Sequence, residues 1–550
     1  MLLKQLLFIL FFWFQISLFA QKITTQFSEK IQSQSKFLTG GMFVKSLPID
    51  GANNYYLFEV SERKGGFFIK DIKRNFVLIK SNAKQDLEKE STLIQTLDQE
   101  KNFIDFVKLK DKYYMFFTDY NKDAKTSNVI AMELNVNTLQ LGKPINLTSF
   151  SFENDDNMFD GIFKISAISF NCKIVASNDS SKIAFTYLPT QKKNTNKLLQ
   201  YIVVDKDLKK INEGKYDFGV YEKGMATSDI ALDNNGKIYV SYKLNDAFTE
   251  KIKVAKGEDE MATYQPHLLS IDISKIAKDF SINCLNKLVG KCYINVNPNN
   301  EVSLNAFYEK KLNRGFIGFG SYNFNATNSN AVMMFTELSK DLIKQMDKDG
   351  SGVHDGLHWG FEFRNAFYFN NETTQLIFEK FLIEYSTTFS GNKSVPITNY
   401  EFGDILVVTL NKNNTMPVFT RVAKRQENSV NQHGILGFNP RKQIAYSFQP
   451  IIFKNELLLF YNDDADNIKK NIEDKPEKIS NLAKSDFVMT RLDNTGKIVA
   501  KQAIYNHKDQ DGYVTNTNFY ETMPNVYAVV LTKLNFFSIN IKLGTLTIKQ

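Results

Sequence analysis

The sequence predicts an all-β protein, a β-propeller of six to eight blades, seven if one blade is shared between the two ends of the chain. Composition is the first reason. Aromatic residues make up 13% of 550 residues, with 47 Phe and 24 Tyr, while Gly and Pro number only 27 and 11. Aromatics favour strands, and with so little Gly and Pro the turns fall to Asn and Asp. The second reason is a recurring hairpin pattern. SNDSSKIAFTY at 177–187, ALDNNGKIYVSY at 231–242 and RLDNTGKIVAKQAIY at 491–505 each place an Asx-rich turn before a short strand with apolar residues at alternate positions. The third is recurrence at larger scale. Strand-plus-turn units start near residues 128, 198, 267, 331, 404 and 487, so they lie 64 to 83 residues apart. Two stacked β-sandwich domains are the alternative architecture.

Taken in chain order, residues 1–20 (MLLKQLLFILFFWFQISLFA) read as a secretory signal peptide: Lys4, an apolar run from Leu6 to Phe14, and Ala20 at the cleavage position. The run is short for a bilayer span, and no later stretch reaches the roughly 18 apolar residues of a membrane helix. Retention of the segment as an anchor is the other outcome. Cleavage removes Lys4 and no acid, which takes the net charge from +8 to +7. Residues 21–550 then form one propeller domain. Within it, 83–100 (AKQDLEKESTLIQTLDQE) read as a helical insertion, with Leu87, Ile94 and Leu97 near one face. The six apolar units read as inner strands with their neighbours. A seventh would combine residues 41–80 with strands in 513–549, and long loops at 186–197 and 462–485 account for the generous spacing.

Two resemblances follow from these residues. SNDSSKIAFTY resembles the blade motif of TolB-like and WD-type propellers, where a Ser-x-Asp turn precedes a strand. Residues 403–467 resemble secreted proteins of Bacteroidota with no assigned activity, through GDILVVTLNKN, TRVAKRQ and FKNELLLFYNDDADN. That resemblance implies export and an all-β repeat fold, and it brings no catalytic residues with it.

The candidate chemistry is sparse. Five His and three Cys (Cys172, Cys284, Cys292) supply little for a zinc cluster. Cys284 and Cys292 either close a short disulfide loop or are reduced core residues. In DKDGSGVHDGLHWG at 347–360, Asp347, Asp349 and Ser351 alternate before Gly352, and Asp355 follows, as in the first half of a calcium loop. His358 stands where an EF-hand has its bidentate Glu, and His354 with His358 lack the helix a zinc protease needs. Asp463, Asp464 and Asp466, and the turn HKDQDGY at 507–513, are further acid-rich loops. No nucleophile elbow, P-loop or dinucleotide fingerprint is present.

The scattered positive charge argues against nucleic acid. The expected role is a non-catalytic binding or scaffold protein, periplasmic, outer-membrane-associated or extracellular, engaging protein or glycan of the cell envelope. A propeller hydrolase or lyase acting on glycans or peptides is the alternative. The calcium expectation has a direct test. Millimolar calcium should raise the melting temperature of the wild type as RT ln(1 + [L]/Kd) and leave Asp349→Ala unmoved; identical curves for both make the loop a turn only.

Overall fold

The computed structural model describes the chain from Lys22 to Lys549 except residues 29–41, 48, 50–52, 65–70, 83, 98–100, 122, 152–171, 190–194, 222–223, 246–263, 313, 325–330, 347–355, 358–359, 370–371, 391–392, 413–415, 432–445, 471–473, 509–511, 516–518 and 535–538. Among the described residues the strands form eight antiparallel sheets of four or five strands each. Seven sheets are contiguous in sequence. They begin with the strands Met42–Ser46, Lys101–Leu109, Cys172–Ala176, Met225–Leu232, Leu288–Val296, Phe361–Phe369 and Gln449–Phe453, and we number them blades one to seven. Blade eight joins Tyr513–Val514, Val526–Leu534 and Ile539–Lys549 to Lys22–Phe27 from the other end of the chain. The register Lys22↔Lys549 through Phe27↔Gly544 fixes that closure.

The ring is held by apolar side chains between blades. Because successive residues on a strand point to opposite faces, the two middle strands of each blade bury both. In blade three, Ile183, Phe185, Ile202 and Val204 pack towards blade two, while Ala184, Leu199, Tyr201 and Val203 pack towards blade four. Each of the eight gaps between neighbouring blades holds its own buried cluster. The gap that closes the ring packs Phe43, Tyr56 and Phe58 of blade one against Ala528, Val530 and Leu543 of blade eight. There the Tyr56 hydroxyl donates to the Gly544 carbonyl at 3.0 Å. First strands lie at the axis, where Asp229 of blade four accepts from the Ile294 amide of blade five at 2.9 Å. Fourth strands are the exposed rim, as in Ala277–Ser281.

The Asx turns are one device used repeatedly. Asp205, Asp233, Asp272, Asn297 and Asp493 each accept through Oδ1 from the amides two and four residues on, at 2.8–3.0 Å. The residue three positions on is left-handed: Leu208, Gly236, Lys275, Asn300 and Gly496. The side-chain bonds hold that conformation even where no glycine relieves it. Turns between third and fourth strands also lace blades together in one sense around the ring. Tyr114 of blade two donates to Lys206 O of blade three, Asn212 of blade three to Asp272 O of blade four, and Gln375 of blade six to Asp493 O of blade seven, at 2.7–2.9 Å.

Several expectations are corrected. There are eight blades, not seven: residues 42–97 build a whole blade, and the C-terminal strands take their fourth strand from Lys22–Phe27. Stacked sandwiches are excluded by the ring of eight interfaces. Residues Leu87–Leu97 are a strand, the rim of blade one, and not a helix. Phe76 pairs with Ile94 and Val77 with Thr92, so Leu93 is an extra residue that shifts the strand's phase. Leu87 then packs towards blade eight and Leu93 towards blade two. Tertiary pairing overrides the helix propensity of this polar segment. Five of the six repeated units are third strands rather than inner strands, buried on both faces except in Thr126–Asn135, where one face is fully buried. The unit at 331 falls on the rim strand Met334–Glu337 and the helix Lys340–Met346. The third strand of that blade is Phe316–Phe324 (FIGFGSYNF). Its apolar run is broken because the Tyr308 ring occupies the space a Cβ at Gly318 would need, and Met333 and Phe335 do the same at Gly320.

A Cβ at Gly544 would strike the Phe27 ring of the closing strand. Gly544→Val should therefore lower stability by about 1–3 kcal/mol and expose Lys22–Phe27 to protease. Denaturant midpoints together with limited proteolysis read both effects.

Candidate functional site

The axial wall carries charges of alternating sign on successive first strands: Lys45, Asp105, Lys173, Asp229 and Lys291 on blades one to five, then Glu362 and Arg364 on blade six. β-Bulges aim several of these. A register shift falls at Phe43/Lys45, Phe103/Asp105, Thr227/Asp229, Val289/Cys292 and Phe363/Asn365. A bulge turns one extra side chain away from the ladder. Lys45 donates from Nζ to Asp105 Oδ1 at 2.7 Å and to Phe106 O at 2.9 Å. Burial works to lower the Lys45 ammonium, and Asp105 and Tyr520 more than reverse it. Asp229 is half-buried and accepts from Ile230 N and Ile294 N, each at 2.9 Å. Burial pushes its carboxyl up against the pull of those amides, Lys173 and Lys291.

The densest part of the wall lies between blades six and seven. The register sets Glu362 opposite Glu379 across the first hairpin of blade six, and Arg364, at the bulge, reaches both. Glu379 has no exposed side-chain surface. Its Oε2 accepts from Arg364 Nε at 2.9 Å and Ser447 Oγ at 2.6 Å, with Arg364 Nη2 2.8 Å away in the same ion pair, and its Oε1 accepts from Lys424 Nζ at 2.8 Å. Lys424, equally buried, completes its donors on Phe402 O at 3.2 Å and Gln426 Oε1 at 3.1 Å. From there Gln426 Nε2 donates to Asn462 O of blade seven, and Asn462 Nδ2 donates to Val514 O of blade eight, each at 2.7 Å. Charge and hydrogen bonds thus run continuously across three blades.

Burial pushes the Glu379 carboxyl up, but Lys424 and Arg364 outweigh it and hold the group below its ordinary value. Burial holds the Lys424 ammonium down even against the attraction of Glu379. Ser447 has a left-handed backbone, φ 73°, with its amide on Gln426 Oε1 at 2.7 Å. A serine hydroxyl on a buried carboxylate resembles a nucleophile with its base. Here the carboxylate is stabilised in its ionised form by two cations and three donated hydrogen bonds, which makes it a poor proton acceptor.

The acids singled out in sequence are put to structural use. Asp463 is buried, accepting from Lys501 Nζ at 2.9 Å and Asn467 Nδ2 at 2.8 Å, and burial raises its carboxyl despite them. Asp464 caps the short turn of helix Ala465–Ile468 through the Asp466 amide. In HKDQDGY, His507 Nδ1 lies 2.7 Å from Asp486 Oδ1. These contacts occupy Asp463 and Asp464 as protein ligands rather than as a cation cluster. Cys172, Cys284 and Cys292 are free and buried, so the disulfide alternative falls. Burial pushes the Cys172 and Cys292 thiols up to about 12, away from the thiolate. The calcium-loop residues Asp347, Asp349, Ser351 and Asp355, with His354 and His358, lie outside the described residues, as does the segment 1–20. No helix among the described residues is long and apolar enough to cross a membrane.

No family model matches the chain, and no curated protein does. Solved structures similar to it include prolyl oligopeptidase B from Galerina marginata bound to a macrocyclization substrate, at 9% identity and TM-score 0.36, covering 90% of this chain and 55% of that one. The polysaccharide lyase Uly1 matches at 10% identity and TM-score 0.37, over 81% of this chain and 89% of the lyase. The Dos1 propeller matches at 8% identity and TM-score 0.34, over 80% and 92%. The chain spans just over half the length of the oligopeptidase.

Breaking the buried pair from one side should cost about 3–5 kcal/mol, since an uncompensated charge is left behind, whereas removing both charges costs less. Glu379→Gln and Lys424→Met should each be more destabilising than Glu379→Leu with Lys424→Met, by urea unfolding. The pH dependence has a defined sign. Because Glu379 titrates lower in the folded chain, its contribution is complete above its ordinary value of 4.5 and is lost as pH falls below it. The stability gap between wild type and Glu379→Gln should therefore narrow on acidification below that value.

Proposed function

We propose that the chain is an exported, envelope-associated binding or scaffold protein whose propeller engages protein or glycan and performs no chemistry on it. What supports this most is the commitment of Glu379, Lys45 and Asp229 to partners within the chain. Glu379 holds three donated hydrogen bonds, Lys45 bridges blades one and two, and Asp229 ties blades four and five. A general acid or base has to exchange its proton with substrate, and groups locked into struts between blades are poorly suited to it. The aromatic content is likewise spent in the gaps, as in Phe307, Phe319 and Phe378, whose ring centroids lie 4.9–5.9 Å apart. Recognition then falls to the loops and rims of the two faces. Residues 1–20 would direct export and be removed.

The test uses the full chain. Expressed with residues 1–20 in a Gram-negative host, it should appear in the exported fraction with Gln21 at its N-terminus. Purified protein should retain an envelope protein or glycan on a capture column, with Glu379→Gln and Ser447→Ala retaining it equally. Turnover of a peptide or glycan panel that vanishes in Ser447→Ala without a change in melting temperature would establish the hydrolase or lyase instead.

A further inference from the structure

Blade six differs from the other seven by one hairpin. Its second and third strands, Thr373–Ser390 and Lys393–Asn411, are 18 and 19 residues long. The first strand of the blade stops pairing at Phe361↔Lys380, so the ladder Phe381↔Phe402 through Ser390↔Lys393 continues beyond it as an arm. At the strand rise of about 3.3 Å per residue the arm extends roughly 30 Å. Its base is anchored by a satellite cluster of Phe381, Tyr400, Phe402, Tyr446, Ile479, Leu482 and Tyr513. One side is covered, since Gln426–Asn431 pairs with Ile397–Phe402. On the other side, no strand among the described residues pairs with Leu382–Ser390, and residues 383–387 are all exposed.

That edge has the properties of a pairing surface. Ile383 and Tyr385, two residues apart and so on one face, are 40% and 77% exposed. The segment LIEYSTTFS at 382–390 is rich in strand formers and carries one charge, Glu384. The arm's proline, Pro396, lies on the other strand, opposite Thr387. Exposed edges in stable monomers are ordinarily blunted by proline, lysine or a bulge. Here the irregularity lies at Glu379/Phe381, below the arm, and the ladder from Phe381 to Ser390 is regular.

We propose that this edge receives a second copy of the chain, the two arms pairing antiparallel across a twofold axis. Charge favours the chain itself as occupant. The ionic groups at the arm's base compensate one another, with Lys380 and Arg425 on Glu401 and Lys478 on Glu427. On the edge itself Glu384 is the one charge in 382–390, so the strand offered to its own copy carries a single acid. Antiparallel pairing centred on Tyr385 sets Ile383 opposite Thr387 and Glu384 opposite Ser386, so the two acids never meet directly. The two Tyr385 rings meet at the axis as a cross-strand aromatic pair. This pairing is independent of the ligand-binding role proposed above, because it uses the arm and not the axial wall.

Sedimentation velocity of the chain from Gln21, over roughly 1–100 µM, decides it. Wild type and the control Met416→Lys, at a 74% exposed position off the arm, should show the same monomer–dimer equilibrium. Ile383→Lys with Tyr385→Lys should weaken association more than about tenfold with an unchanged circular dichroism spectrum and melting temperature. Tyr385→Cys should form a covalent dimer on mild oxidation. A wild type that stays monomeric at the highest concentration, as it would if a different protein's strand used the edge, overturns the proposal. So does a dimer indifferent to the double lysine variant.

Discussion

Apolar packing between blades is the interaction on which the rest of this protein depends. No blade can bury both faces of its two middle strands alone, so each is stable only against its neighbours. Tyr308, Phe185 and Phe378 fill gaps that isolated sheets would leave open to water. The axial charges are tolerable for the same reason, because the surrounding gaps keep the ion pairs in fixed register. A blade that moved by one residue would expose apolar side chains and strand Glu379 among groups it could not use.

Buried ion pairs are weak evidence for stability in general, since desolvation offsets attraction. The Glu379–Lys424 pair is better understood as a specifier of geometry. Glu379 and Arg364 belong to the first hairpin of blade six, Lys424 follows its rim strand Val418–Val422, and Ser447 immediately precedes blade seven. The shared contacts tie these four elements to one another at the point where the arm of blade six leaves the ring. The relay through Gln426 and Asn462 carries the same specification to blade eight.

Much of the fold was legible because its turns advertise themselves. An Asp or Asn followed two and four residues later by the amides it binds leaves a local signature, and the repeats at 231 and 491 showed it. The strand Leu87–Leu97 was not legible, because its irregular pairing gives Leu87, Ile94 and Leu97 a spacing that imitates a helix. Phe316–Phe324 was hidden for a different reason: its glycines make room for rings contributed from elsewhere in the chain. The buried site could not be read at all. Arg364 and Glu379 are 15 positions apart and Glu379 and Ser447 are 68 apart, and nothing near any of them in sequence announces the others. Fully buried charges on strands look the same as solvated ones until the neighbouring blade is in place.

The closure of blade eight also sets an order of events during synthesis. Lys22–Phe27 leaves the ribosome early, yet its partner Ile539–Lys549 follows only after more than 500 further residues. At roughly 5–20 residues per second that interval is about half a minute to two minutes. For that time the first-made strand is a segment waiting for the last-made one, and blade one stands with its face towards blade eight uncovered. Chains crossing a membrane in extended form would pass through the same open state on the far side. A helper that binds Lys22–Phe27 or the Phe43–Phe58 face early would therefore govern yield more than one that acts on any finished blade.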